Sequence, residues 1–174
     1  MSKGTGWLAV AAGLLLMGTV TGCGKGAHVS ELFQAISQGD AAAVRKLLDE
    51  GADPNAKGPG DMPVLCMAVW RENVEIARLL LEKKADPNVA VERGMTPLHF
   101  SVFSGNKEMA ELLIQHGADV NAKTQDGMTP LDFAELMHQA EVAELLKAKG
   151  AQASGLRLRG GGPVPHGGTE SDQP

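Results

Sequence analysis

The chain has no tyrosine, and its 174 residues include only four phenylalanines and two tryptophans. A sandwich or barrel core built on large rings is therefore disfavoured. Cysteine is equally scarce, and two residues make neither a disulfide scaffold nor a four-ligand zinc site by themselves. Positive charge is in deficit: 21 Asp and Glu outweigh 16 Lys and Arg, and the formal charge of −5 argues against nucleic acid as a partner. The longest apolar run is Trp7 to Val20, fourteen residues, whereas a spanning helix needs roughly 20. With 21% charged residues and a mean hydropathy of −0.09, the chain is neither a disordered acidic tail nor a polytopic membrane protein. Glycine is plentiful, with 22 residues beside nine prolines. Where these fall decides the rest.

Lys3 is the only charged residue before position 25, and the apolar run that follows it ends in small residues. A basic start, a short apolar middle and a small-residue end make a secretory signal. Val20-Thr21-Gly22-Cys23 resembles the lipobox of bacterial lipoproteins, although Thr21 is a less usual choice than Ala or Ser. An ordinary signal peptide with an incidental cysteine is the plainer reading. The resemblance implies removal of residues 1–22, a lipid on Cys23 and a place on the periplasmic face of the cell envelope. Gly24 stands where an Asp would resemble an inner-membrane retention signal, so the outer membrane is expected. Residues 23–29 would be a short tether, spanning at most about 20 Å. Cys66 would then be the only free thiol, and no intramolecular disulfide is possible.

Slid against itself, the chain repeats every 33 residues. Ala52-Asp53-Pro54-Asn55 returns as Ala85-Asp86-Pro87-Asn88 and as Ala118-Asp119-Val120-Asn121. Gly94-Met95-Thr96-Pro97-Leu98 returns as Gly127-Met128-Thr129-Pro130-Leu131, with Asp61-Met62-Pro63-Val64-Leu65 as a degenerate earlier copy. Thr96-Pro97-Leu98-His99 at this period is the signature of ankyrin repeats, and Thr129-Pro130-Leu131-Asp132 lacks only the His. The chain thus resembles an ankyrin-repeat protein. The implied fold is all-α, a solenoid of about four helix-turn-helix units joined by β-hairpin-like loops, over residues 30–153 in units of 30–60, 61–93, 94–126 and 127–153.

Local chemistry leads to the same elements. Proline after threonine opens a helix, because its missing N–H loses no bond there and the hydroxyl caps free amides. Gly39 and Gly105 end such helices, Met109, Leu112 and Leu113 mark a second amphipathic helix, and Gly51, Gly117 and Gly150 end the second helices. Helix pairs are predicted at about 30–50, 64–83, 97–116 and 130–149, with projecting hairpins at 56–62, 89–95 and 122–128. Such pairs bury their apolar stripes only by stacking, on a core of Leu and Ala that explains the missing rings. The terminal units read as caps: Glu31, Gln34 and Gln38 mark the first, Lys147 and Lys149 the last. Residues 154–174, rich in Gly and Pro, read as a disordered tail.

Catalytic chemistry finds no footing in this pattern. No nucleophile, base and oxyanion set is present, so the chain reads as a non-enzyme without cofactor or metal. His28, His116, His138 and His166 share no metal-ligand spacing. Gly24-Lys25 has neither the upstream Gly nor the following Ser or Thr of a phosphate loop. The resemblance gives His99 a hydrogen-bonding role between repeats. Cys66, in the same column, reads as a buried inert thiol, with a redox thiol as the alternative.

Surface columns remain. Partners of ankyrin proteins typically lie on the concave side, against hairpin loops and the ends of the first helices. By register this selects Met62, Met95 and Met128, with Arg93 and Gln125 on the same loops. At the helix ends it selects Trp70 and Arg71, Phe103 and Ser104, and Leu136 and Met137. An exposed apolar row of Trp70, Phe103 and Leu136 would mark a binding site; coverage by neighbouring repeats would make it core. Residues 30–153 hold 19 Asp and Glu against 12 Lys and Arg, a formal −7 that favours a basic protein patch. The expectation is a monomeric, lipid-anchored interaction module that holds a protein partner. An immunity protein against a periplasmic toxin and a periplasmic oxidative-stress protector are the rival expectations.

Overall fold

The computed structural model describes residues 27–155. The signal segment, Cys23 and the tail from residue 156 lie outside the described residues. Eight α-helices follow one another in pairs: α1 (Ala27–Gln38) with α2 (Ala41–Asp49), α3 (Val64–Trp70) with α4 (Val74–Glu82), α5 (Pro97–Phe103) with α6 (Lys107–Gln115), and α7 (Pro130–Leu136) with α8 (Ala140–Ala148). First helices pack on first helices in the order α1, α3, α5, α7, and second helices on second helices in the order α2, α4, α6, α8. The result is a two-layer, all-α stack. Within the described residues α1 already includes Ala27 to Val29, which the sequence assigned to the tether. None of the described helices is long and apolar enough to cross a membrane.

Each boundary has a local cause that recurs with the period. The side chains of Asp40, Asn73 and Asn106 accept the amides of Ala43, Ile76 and Met109 at 2.9, 3.0 and 2.9 Å, capping the second helices. Thr96 and Thr129 cap α5 and α7 in reciprocal boxes with His99 and Asp132. The turn between paired helices needs a left-handed residue. Gly39 (φ 75°) and Gly105 (φ 69°) supply it in two units, and Glu72 (55°) and His138 (57°) adopt it in the other two.

Packing follows the columns. Leu32, Leu65, Leu98 and Leu131 are buried, as are Val44, Ala77, Ala110 and Ala143, and Ile76, Met109 and Val142. Small alanines alternate with leucines, so the layers approach closely and one continuous core runs through all four units. The hairpins are closed turns. Gly58, Val91 and Thr124 donate their amides to the carbonyls of Met62, Met95 and Met128 at 2.8, 2.9 and 3.0 Å. Strand character among the described residues is confined to an isolated antiparallel bridge between Lys57 and Pro63. An asparagine ladder ties one unit to the next: Asn55, Asn88 and Asn121 each accept an amide of the following repeat, from Asp86, Asp119 and Gln152, at 2.7 Å.

Candidate interaction surface

The ends of the first helices carry the large apolar side chains that the fold leaves uncovered. Trp70 is 63% exposed, Phe103 57%, Leu136 48% and Met137 38%. Their helix neighbours Val69 and Val102 are buried, so exposure belongs to the column and not to the helix. Trp70, Phe103 and Leu136 come from α3, α5 and α7, which pack side by side. Ser37 continues the column into α1, with its hydroxyl turned back to the Gln34 carbonyl at 2.7 Å. Arg71 lies with its guanidinium 5.7 Å from the Trp70 ring centre, a cation–π contact that stiffens the one charged member of the row. Ser104 donates to the Ser101 carbonyl at 3.1 Å.

The hairpins divide into tips and stems. Arg93 and Asp126, at neighbouring tips, form an exposed ion pair at 2.7 Å, and the Gln125 amide donates to the Arg93 carbonyl at 2.8 Å. Met62, Met95 and Met128 lie in the stems and are half-buried. Their carbonyls close the turns, Met62 packs against the core, and the Met128 carbonyl also faces the His99 ring at 3.3 Å. Repeat register placed them correctly on the loops, but their backbone carbonyls do the structural work. Arg93, Gln125 and Asp126 are exposed at the tips, as are Asp61 and Glu92.

The second-helix layer is different in kind. Asp49 and Lys83 pair at 2.7 Å, Arg78 and Glu108 at 4.0 Å, and Lys107 and Glu141 at 3.9 Å, each pair bridging successive helices of that layer. A hydrogen bond from Lys83, with its charge, holds the Asp49 carboxyl below the usual carboxylate range. Exposed pairs of this sort are weak stabilisers, because water and salt screen them.

The titratable groups inside the stack are structural. Cys66 is fully buried, and burial pushes its thiol up to about 12. Burial shuts the thiol away from solvent and disfavours its ionised form, which supports the inert reading over the redox one. His99 is buried too, bonded to Thr96 at 2.9 Å and edge-on to the Phe133 ring at 5.4 Å. Phe33 stands in the same column as His99, in the first unit, and is a contact residue that the sequence reading left out. Its ring covers Gly58 and lines an apolar groove of about 410 Å³ with Val29, Gln34 and Pro59. Register alone would have flagged an aromatic at that position.

A family model described as "Ankyrin repeats (3 copies)" matches the chain three times, over residues 14–91, 32–124 and 65–154. No curated protein matches it.

Proposed function

This chain belongs to the ankyrin-repeat family, and we propose that it is a lipid-anchored interaction module of the bacterial envelope. Repeats of this family are protein–protein interaction modules. The partner is held against the first-helix ends and hairpin tips, the concave side by family analogy. One observation carries the reading: Trp70, Phe103 and Leu136 remain exposed in one column, although they are large and apolar and the helix neighbours Val69 and Val102 are buried. Trp and Arg are the residue types that dominate binding hot spots, and Trp70 is paired with Arg71. The formal −7 of residues 30–153 favours a partner with a basic patch and salt-sensitive association.

The anchor rests on the lipobox-like Val20-Thr21-Gly22-Cys23. Two or three acyl chains would hold the stack at the membrane far more firmly than one. A tether as short as residues 24–29 would keep the partner close to that membrane as well. Crosslinked envelopes test both parts. The wild-type chain should capture a discrete protein that a Trp70→Ala, Phe103→Ala variant does not, and Cys23→Ser should move the protein to the soluble fraction. Equal capture by both forms, or Cys23→Ser remaining with the membrane, would overturn the corresponding half.

A further inference from the structure

The row of Trp70, Phe103 and Leu136 has a step as well as a composition. Its members come from α3, α5 and α7, which pack side by side, and Ala68, Ser101 and Ala134 of the same helices are fully buried. Small residues let such helices approach to about 8–10 Å, and that distance is the step along the row. Ser37 ends the apolar row in α1, and no first helix follows α7 among the described residues.

Three anchors at that step restrict what can lie across them. An α-helix brings residues i, i+7 and i+14 to nearly one face about every 10.5 Å, which matches. Same-face residues of an extended strand recur at about 6.6 or 13 Å, which does not. A polyproline segment returns every third residue at about 9.3 Å, but it is read by aromatic-lined grooves. Here Leu136 offers no ring, and Arg71 already lies over the Trp70 ring at 5.7 Å. A second copy of the chain needs more surface. Trp70, Phe103, Leu136 and Met137, at 63, 57, 48 and 38% exposure, present roughly 400 Å² between them. That is about half of the ~800 Å² per partner of a stable dimer.

Charge at the first-helix ends adds a preference. α3, α5 and α7 carry no basic residue in the last turn, so the negative ends of their dipoles lack a cation there. Arg71, just beyond α3, is turned onto Trp70. Glu72 follows, exposed and in left-handed backbone (φ 55°), where Gly39 and Gly105 stand in other units. A carboxylate is thus held beside the row at a backbone cost that glycine would avoid.

We propose that the row receives an amphipathic helix of the partner, with apolar side chains at i, i+7 and i+14 on Trp70, Phe103 and Leu136 and a Lys or Arg beside Glu72. This rests on the reading that the row holds a partner, and it names the kind of segment that partner presents.

A synthetic peptide tests it without the natural partner. The probe is an Ala- and Gln-based helix about three heptads long, with Leu once per heptad and Lys along one flank. The readouts are Trp70 emission in the full chain carrying Trp7→Phe and the helicity of the peptide. Binding should shift the emission to the blue and raise the helicity. Phe103→Ala and Leu136→Ala, both at exposed positions, should each weaken binding roughly tenfold or more. Glu72→Gln should weaken it roughly two- to fivefold, and less so in high salt. Equal binding by a peptide of the same residues in shuffled order, or by a proline-rich peptide with Leu at every third residue, would overturn the proposal. So would an emission that shifts with protein concentration alone, which would make the occupant a second copy. A heptad peptide that leaves Trp70 unmoved overturns the helix, while loss of envelope capture in the Trp70→Ala, Phe103→Ala variant reports separately on whether the row holds a partner.

Discussion

His99 and Asp132 stand one period apart at the same helix position and bond in opposite senses. Thr96 N–H donates to His99 Nδ1 at 3.2 Å, which leaves the proton on Nε2, facing the Met128 carbonyl at 3.3 Å. Asp132 instead accepts two amides, from Thr129 at 2.7 Å and from Ser154 at 3.0 Å. Where a complete repeat follows, the residue must donate to a hairpin carbonyl. Where the chain turns back after the last helix, it must accept. The missing His of the fourth unit is thus a change of hydrogen-bond polarity at the end of the stack.

This pair predicts a two-step acid response. Burial holds the His99 imidazole below its ordinary value of 6.5, only partly offset by the Met128 carbonyl. The unfolded chain therefore takes up a proton near pH 6.5 that the folded chain refuses, so stability is complete above that pH and falls as pH drops through it. At Asp132, burial raises the carboxyl, but the bonds from Thr129 and Ser154 outweigh it and the net shift is downward from 3.8. Its contribution persists to lower pH and is lost as pH falls below that value. Urea midpoints between pH 5 and 8 should decline below pH 6.5 in the wild type and stay nearly flat in His99→Gln. That variant should also lose about 1–3 kcal/mol at pH 8, from an unsatisfied buried bond.

Glu72 and His138 hold left-handed backbone that their neighbours in the column leave to glycine. A side chain there costs about 1 kcal/mol relative to glycine. Glu72→Gly and His138→Gly should each raise stability by roughly 0.5–1 kcal/mol, and their effects should add, since the two turns share no partner. Thermal denaturation of the single and double variants checks this. A loss of stability in either would show that its side chain makes a compensating contact.

Much of the architecture could be read from residues alone, for definite reasons. Thr96-Pro97-Leu98-His99 carries its own capping chemistry, and Asp40, Asn73 and Asn106 announce helix starts by type. Glu72 and His138 announce nothing, because neither residue signals a positive φ; only alignment with Gly39 and Gly105 does. That Ala27 to Val29 are already helical was not visible, since a first unit has no earlier copy to align with. At the candidate surface, Trp70, Phe103 and Leu136 were legible because column position decides exposure. For Met62, Met95 and Met128 register showed the loop position but not the turn-closing carbonyls, because side-chain type says nothing about which backbone carbonyl closes a turn. Phe33 was missed for its departure from the His column, although that departure was itself the signal.

Phe33 and Gly58 give a steric test of the first unit. A Cβ at position 58 would fall 2.2 Å from one ring carbon and 2.9 Å from another. Gly58 has a negative φ of −87°, so the backbone tolerates alanine and only the ring objects. Gly58→Ala should cost roughly 1–3 kcal/mol by overpacking. Adding Phe33→Ala should recover most of that loss, giving a coupling energy that a backbone effect would not produce. Near-additive single effects would instead place the cost in the turn.

Trp70 offers the most direct check of the proposed surface, because it is the only tryptophan among the described residues and most of its side chain meets solvent. Removal of residues 1–22, as the lipobox reading implies, would take Trp7 away and leave Trp70 as a single-site reporter. Its emission in the free protein should resemble that of exposed tryptophan and be readily quenched by acrylamide, then shift to the blue and resist quenching when a partner covers the row. Trp70→Ala with Phe103→Ala should leave helical content unchanged and stability within about 0.5 kcal/mol per site, as expected for surface positions. A blue-shifted, poorly quenched emission in the free chain, or a large drop in melting temperature for the double variant, would show that these side chains are packed and that the partner binds elsewhere.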